Sequence, residues 1–389
     1  MHAMDFALLQ ITDRIRAALT DGTPLHIRGG GSKDFYGQSL QGDVLDVSTL
    51  RGITNYEPSE LVVTVRAGTP LAELEATLAE RGQCLAFEPP SFINASSGQS
   101  TATCGGMVAA GLSGPARASA GAVRDFVLGV NLLNGRGELL TFGGQVMKNV
   151  AGYDVSRLMV GAMGTLGILT ELSLKVLPGA PAEATLMFGD LAQQQALDLL
   201  NRWGGQPLPL NASCWVRDDT THPAREFLFV RLRGAVAAVE AACPRMMADA
   251  QAVGGDAVRM DNAQAEPDWQ ACRNQSLPFF TAPGPELCLW RLSVPQTAPA
   301  LNLPYAQLVE WHGGQRWLWA PMTAHTQLRE LTAKIGGNAT IFIAKKSIDT
   351  GEVGRFSPLS TPLRHIHQRL KAEFDPAGIF NIGRLLPNA

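Results

Sequence analysis

No two cysteines in this 389-residue chain stand in C-x-x-C spacing; the six, at 84, 104, 214, 243, 272 and 288, are scattered. Iron-sulfur clusters need grouped thiolates, so a cluster held by this chain alone is excluded and any such cluster belongs on a partner. Scattered thiols in a chain of this length read as reduced, in a cytosolic compartment. No apolar run has membrane-spanning length. The opening residues, Met1-His2-Ala3-Met4-Asp5, lack the basic-then-apolar order of a secretory leader, so none is expected. A basic tract is missing too, and a formal charge of -3 offers nucleic-acid phosphates no footprint. Internal repeats and low-complexity segments are absent.

What is present suits an ordinary globular protein, 46% hydrophobic and 17% charged, long enough for two domains. Leu8, Ile11, Ile15 and Leu19 recur at helical spacing, and Asp21-Gly22 ends that helix. Pro24 to Arg28 and Leu61 to Val65 read as strands. After Ala67-Gly68 a helix is expected with Thr69 as N-cap and Pro70 at its first position, its stripe being Leu71, Leu74 and Leu78. Strand, glycine, helix, glycine, strand is the rhythm of an α/β domain. Phe126 to Leu133, then Asn134-Gly135-Arg136-Gly137, then Glu138 to Leu140 predicts a hairpin. Beyond 178 the glycine knots stop, and all seven tryptophans lie between 203 and 319. The expected domains are therefore 1–178, 179–345 and a closing segment, 346–389.

Three glycine-dense stretches carry the chemistry. Arg28-Gly29-Gly30-Gly31-Ser32-Lys33 follows a strand; it ends in Gly-Ser-Lys and not in the Gly-Lys-Ser/Thr of a P-loop, and it opens no Rossmann helix. Successive glycines can still present amides to one anion as a nest. Gly105-Gly106, Gly111, Ser113 and Gly114 form a second loop, and Gly161, Gly164, Thr165, Gly167 and Ile168 a third. Taken singly, each reads as well as a surface turn, a tight strand crossing or a bulged hairpin. Together in one domain they point to an extended anionic cofactor, for which a dinucleotide is the natural candidate.

These stretches, with Val65-Arg66-Ala67-Gly68-Thr69, Val123 to Gly129 with Asp125 in its midst, Lys148 to Asp154, and Phe374 to Asn381, resemble the vanillyl-alcohol-oxidase (PCMH-type) FAD-binding family in sequence order. The similarity covers roughly residues 22–178 and 363–385. Within that family, Met147 to Gly161, Gly111 to Pro115 and Gln307 to Trp311 are most similar to the FAD-binding subunits of glycolate oxidases. The resemblance implies an α+β architecture: a PCMH-type FAD domain of two α/β subdomains, a smaller α+β cap domain, and a C-terminal segment returning to the FAD domain. It further implies that residues 28–33 hold the FAD pyrophosphate, that 105–114 and 161–168 line the rest, and that Asn381 lies near the flavin ring. Where some relatives carry a flavin-linking histidine in the first loop this chain has Ser32-Lys33, so the FAD is expected to be noncovalent. Departures also occur at Ala162-Met163 and at Ile382.

Oxidising a 2-hydroxy acid on a flavin needs a base and a cation or metal for the carboxylate. The relatives' histidine-rich metal motif has no counterpart here, so no metal is expected. The candidates for chemistry are His312, Tyr153 and Lys148; His365 and His367 point to different helix faces, and Lys345-Lys346 reads as surface. The resemblance implies a partner carrying catalytic FAD and an iron-sulfur partner, glycolate or a related 2-hydroxy acid such as D-lactate as substrate, glyoxylate as product, and membrane association only peripherally, through those partners. Two readings stay open beside it: a stand-alone FAD-dependent hydroxy-acid dehydrogenase, and a non-catalytic scaffold of the same fold.

Overall fold

A computed structural model describes residues 6–39, 41–93, 97–144, 153–218, 222–344 and 353–385. The chain divides into two compact units, one of residues 1–112, 122–178 and 358–389, the other of 113–121 and 179–357. Two stretches depart from the boundaries read from sequence. Residues 113–121 belong with the second unit, and so do the described residues 353–357.

The first unit holds two cores. One gathers the helix Phe6–Asp21 through Ile11, Ile15 and Ala18 against the parallel strands β1 (Leu25–Arg28) and β2 (Asp43–Asp46). The other lies beneath an antiparallel sheet of β3 (Ile53–Glu57), β4 (Val62–Arg66), β6 (Val127–Leu133), β7 (Leu139–Gly143) and β8 (Ile168–Lys175), in the order β3-β4-β8-β6-β7. A small antiparallel pair, β5 (Gln83–Cys84) with β9 (Leu177–Pro178), lies outside it. The predicted β6–β7 hairpin is present: the Asn134 side chain accepts from the amides of Arg136 and Glu138, and Gly137 takes a φ of 73° that most residues resist.

The helix Leu71–Ala79 buries Leu71, Leu74 and Leu78 completely, as its stripe predicts. Its start is shifted, however. Pro70 occupies the cap and makes no side-chain bond, while the Thr69 hydroxyl ties the Gly52 turn, accepting from its amide at 2.9 Å and donating to its carbonyl at 3.2 Å. The competing tertiary bond displaced the local cap.

The closing residues return to the first unit. Leu25 donates to Ile379 O and accepts from the Asn381 amide, so 379–381 runs alongside β1. The helix Thr361–Phe374 precedes it, anchored by Phe374 and carrying solvent-exposed His365 and His367.

The second unit combines the helices Gln193–Gly204, Val236–Gln251, Asn262–Asn274 and His325–Lys334 with one antiparallel sheet of β10 (Ala182–Gly189), β11 (Leu210–Asp218), β12 (Arg225–Gly234), β13 (Asp256–Arg259), β14 (Leu287–Ser293), β15 (Gln307–Glu310), β16 (Gln315–Pro321) and β17 (Asn338–Ile343), ordered β13-β10-β12-β11-β15-β16-β14-β17. Five of its seven tryptophans, 203, 215, 269, 290 and 317, are buried core residues. Trp203, Trp290 and Trp317 are fully buried, and all seven indole N–H groups find acceptors within the unit, from Asp249 for Trp203 to Gly114 O for Trp311. Buried indoles need such partners.

Candidate functional site: a cofactor cleft

The first unit contains a cleft of about 900 Å³, counted out to open solvent, between β1 with its following loop, the helix Cys104–Ala110, and the turn before β8. Its walls include Arg28, Gly29, Gly30, Gly31, Ser32 and Lys33, then Gly105 and Gly106, then Gly164, Gly167 and Ile168, with Asn381 at the closing edge. Three segments far apart in sequence thus line one cavity.

The 28–33 loop is the electrostatic centre. Among the described residues, the amides of Gly29, Gly30, Gly31, Ser32 and Lys33 donate to no acceptor. Successive unbonded amides are costly unless water or an anion meets them. Lys33 adds the charge. It is half-buried, its Nζ lies 5.5 Å from the centroid of the Phe92 ring and donates to Ser32 Oγ at 3.2 Å, and burial pushes its ammonium down to about 8. Arg28, by contrast, already has a partner in Asp34 at 2.8 Å.

Protein packing explains the glycines. A Cβ on Gly30 would sit 1.5 Å from the Thr101 carbonyl oxygen, and one on Gly29 2.6 Å from Thr103 Oγ1. The strip lies so close to 101–103 that only hydrogen fits. Arg384, which sequence reasoning missed, holds the far side of the loop by donating to Gln38 O, Lys33 O and Asp34 O. It lies some 350 residues away in sequence from the groups it holds, with no local signal to mark it.

Gly105 and Gly106 do not form a loop. They open the helix Cys104–Ala110, where Thr103 caps Gly106, and the amides of Cys104 and Gly105 donate to Thr69 O and Ala67 O. This helix start offers surface to the cleft but no free donors. Gly111 faces Gly161, whose Cα a Cβ on Gly111 would meet at 3.1 Å; the two mark a chain crossing, and the Gly161 and Met163 amides bond to Val108 O and Ala109 O. Gly161 and Thr165 line a neighbouring groove, with the Thr165 hydroxyl on Ala162 O at 2.7 Å.

Asn381 is buried and stitches two cleft walls: its Oδ1 accepts from the Ile27 amide at 2.8 Å and its Nδ2 donates to Met163 O at 2.7 Å. That side chain explains Gly164, where a Cβ would lie 2.6 Å from Asn381 Nδ2. Other wall residues that sequence reasoning passed over are His26, Val47, Ala67, Thr103, Met159 and Leu169. Of these only Thr103 carried a signal, as a cap residue immediately before a helix-opening pair.

The remaining candidates lie elsewhere. Ser113 and Gly114 belong to the second unit and do not line the cleft. Asp125 accepts from the Ala122 amide and closes its own turn. Tyr153 is 96% exposed. Lys148, Lys345 and Lys346 lie outside the described residues. His312 sits in the second unit with Nδ1 2.9 Å from Ser213 Oγ and Nε2 3.1 Å from Ser119 Oγ, and burial lowers its pKa to about 4. A neutral ring with both nitrogens engaged is a tether. With the Trp311 indole on Gly114 O and the Arg117 guanidinium 4.5 Å from the Trp311 ring centroid, it gives the reason 113–121 clusters with this unit. Among the described residues no group of three His, Cys, Asp or Glu side chains is arranged to hold a metal ion, and no helix is long and apolar enough to cross a membrane.

Comparisons agree with this geometry. Residues 9–143 match the family described as FAD binding domain. The solved structure of an alkyldihydroxyacetonephosphate synthase superposes with a TM-score of 0.67 over 96% of this chain and 75% of that one, at 14% identity, which establishes the shared fold. A D-lactate dehydrogenase of Anaerostipes hadrus is 31% identical over 38% of this chain and 29% of its own. The glycolate oxidase subunit GlcD of Bacillus subtilis (strain 168) is 26% identical over 96% of this chain and 87% of its own. Glycolate oxidase subunit GlcE of Escherichia coli (strain K12) is 44% identical over 96% of this chain and 96% of its own. With identity at that level along nearly the full length of both proteins, this chain belongs to the GlcE family of FAD-binding glycolate oxidase subunits.

Proposed function

We propose that the chain is the FAD-binding subunit of a complex that oxidises glycolate to glyoxylate, with electrons leaving through an iron-sulfur partner to a respiratory acceptor. The observation that carries this reading is the run of unbonded amides at 29–33 beside Lys33, an ammonium with no carboxylate bonded to it among the described residues. Donors of that kind fit a pyrophosphate: amides meet oxygen lone pairs, and the ammonium supplies the countercharge. FAD, once bound, supplies the capacity to accept two electrons from an alcohol carbon.

In this reading Gly29 to Lys33 bind the pyrophosphate. Arg28 and Arg384 hold the loop's shape, while Gly105, Gly106, Gly164, Gly167 and Ile168 give the rest of the cofactor close passage. Asn381 fixes the spacing of two walls through its own hydrogen bonds. Ser32 and Lys33 offer no side chain for a covalent flavin link, so binding is noncovalent. Since the ring nitrogens of His312 are engaged by serine hydroxyls, the base for substrate oxidation is assigned to a partner that carries catalytic FAD. The complex is cytoplasmic in this reading, and reaches the membrane only through its partners.

The test is reconstitution. Co-purified subunits should reduce a dye with glycolate, lose that activity when this chain is omitted, and show flavin absorbance in this chain alone. A colourless chain that stays free of FAD after incubation would sink the cofactor reading.

A further inference from the structure

The helix Thr361–Phe374 is mostly exposed, yet its single lysine is drawn inward. Lys371 Nζ donates to Asp375 Oδ2 at 2.6 Å, to Thr165 O at 2.8 Å and to Phe380 O at 2.7 Å. All three ammonium hydrogens are therefore placed. Asp375 is 1% exposed and accepts in addition from the amides of Ile379 and Phe380. Gly135 of the β6–β7 turn packs against the same carboxylate, and its amide donates to Phe374 O.

Two of these acceptors lie next to cleft-lining residues without lining the cleft themselves. Thr165 follows Gly164 and precedes Gly167, and Phe380 precedes Asn381. The bonds from Lys371 hold those two main-chain segments to one point. Asn381 bridges the same two segments by a single contact to Met163 O. Lys371 thus adds a second, charged bridge close to the first on each segment.

We propose that Lys371, neutralised by Asp375, is a positioning residue that sets the separation of the 163–167 turn and the 380–384 segment, and through it the fit of the cleft for FAD. This rests on the cofactor reading above. A charged donor on two carbonyls fixes a distance more tightly than apolar packing, because losing it leaves both acceptors to find other partners.

A lone Lys371→Met substitution strands a buried carboxylate and destabilises the fold for that reason alone. The decisive variant is Lys371→Met combined with Asp375→Asn, which removes the stranded charge while still depriving Thr165 O and Phe380 O of their donor. FAD titration and thermal unfolding of the FAD-free chain are measured for wild type, both variants and Lys371→Arg. The expected result is a dissociation constant for FAD raised about tenfold in the single and the double variant alike, with unfolding temperature recovered only in part in the double, because asparagine offers one oxygen where Asp375 accepts with two, and affinity partly restored by Lys371→Arg. If the double variant regains both stability and affinity, or if Lys371→Met leaves the dissociation constant within about twofold, the role is structural only and the proposal is overturned. A wild-type chain that takes up no FAD would sink the cofactor reading itself, a separate failure visible in the control.

Discussion

Residues 29–31 and 105–106 are both consecutive glycines in the first unit, both line the same cleft, and they use their backbones in opposite ways. Along 29–33 the amides bond to nothing among the described residues. At 104–107 every amide is engaged, by Thr69 O, by Ala67 O, and by the Thr103 hydroxyl and carbonyl. In both places the missing side chain is explained by protein contacts, the Thr101 carbonyl in one case and Ala67 in the other. Glycine density therefore reports close backbone approach. The ligand signal is the unbonded donor, and only the first stretch carries it.

The largest effect expected from breaking this contrast is at Gly30. Its replacement by alanine forces a Cβ into the Thr101 carbonyl and should cost about 3 kcal/mol of stability, with flavin content lost alongside. Gly105→Ala meets Ala67 Cβ at 2.7 Å and the Ala67 carbonyl oxygen at 2.9 Å, atoms that move only with the backbone. It should cost about 2 kcal/mol, somewhat less than Gly30→Ala, and change FAD affinity less because no unbonded amide is disturbed. Thermal unfolding and flavin absorbance of both variants check the pair.

Lys33→Met should weaken FAD binding between tenfold and roughly a hundredfold, the usual range for a lost charge-assisted bond, while leaving the FAD-free fold intact. Titration of apoprotein by flavin fluorescence reads this directly.

The same lysine gives a pH signature with two opposite signs. Its folded pKa, about 8, lies below the unfolded value of 10.5 because burial penalises the ammonium. Between those values the unfolded chain binds more protons, so the stability of the FAD-free protein rises with pH across that window. FAD binding needs the ammonium, so affinity falls as pH rises above about 8. Lys33→Met should flatten both trends. Equal slopes in wild type and variant would contradict the assignment.

His312 should give a smaller, purely structural effect. Its pKa, lowered from 6.5 to about 4 by burial, means stability is lost as pH falls through that interval, and His312→Gln should reduce the loss. FAD affinity should not move.

Much of this was legible in the sequence. The helix stripe at Leu71, Leu74 and Leu78, the hairpin at Asn134, and the strand before Gly29 follow from local periodicity and turn chemistry. Motif order led to the FAD-binding family, and the three glycine stretches supplied residues to one cleft. What sequence could not show was which backbone groups were already bonded. Gly111 and Gly161 look like ligand glycines but serve a chain crossing. Ser113 and Gly114 follow the motif but fold with the other unit, held there by Trp311 and His312 some two hundred residues away. Arg384 and Lys371 act through bonds to distant carbonyls, which leave no local pattern; the closing motif marked Asn381, but not its bonds to Ile27 and Met163.

Hydrogen exchange of the backbone, with and without FAD, tests the central contrast most directly. The amides of Gly29 to Lys33 should exchange rapidly in the FAD-free chain and become protected when FAD is added, while those of Cys104 to Met107 should be protected in both states. Unchanged exchange at 29–33 on saturation with FAD would contradict the account.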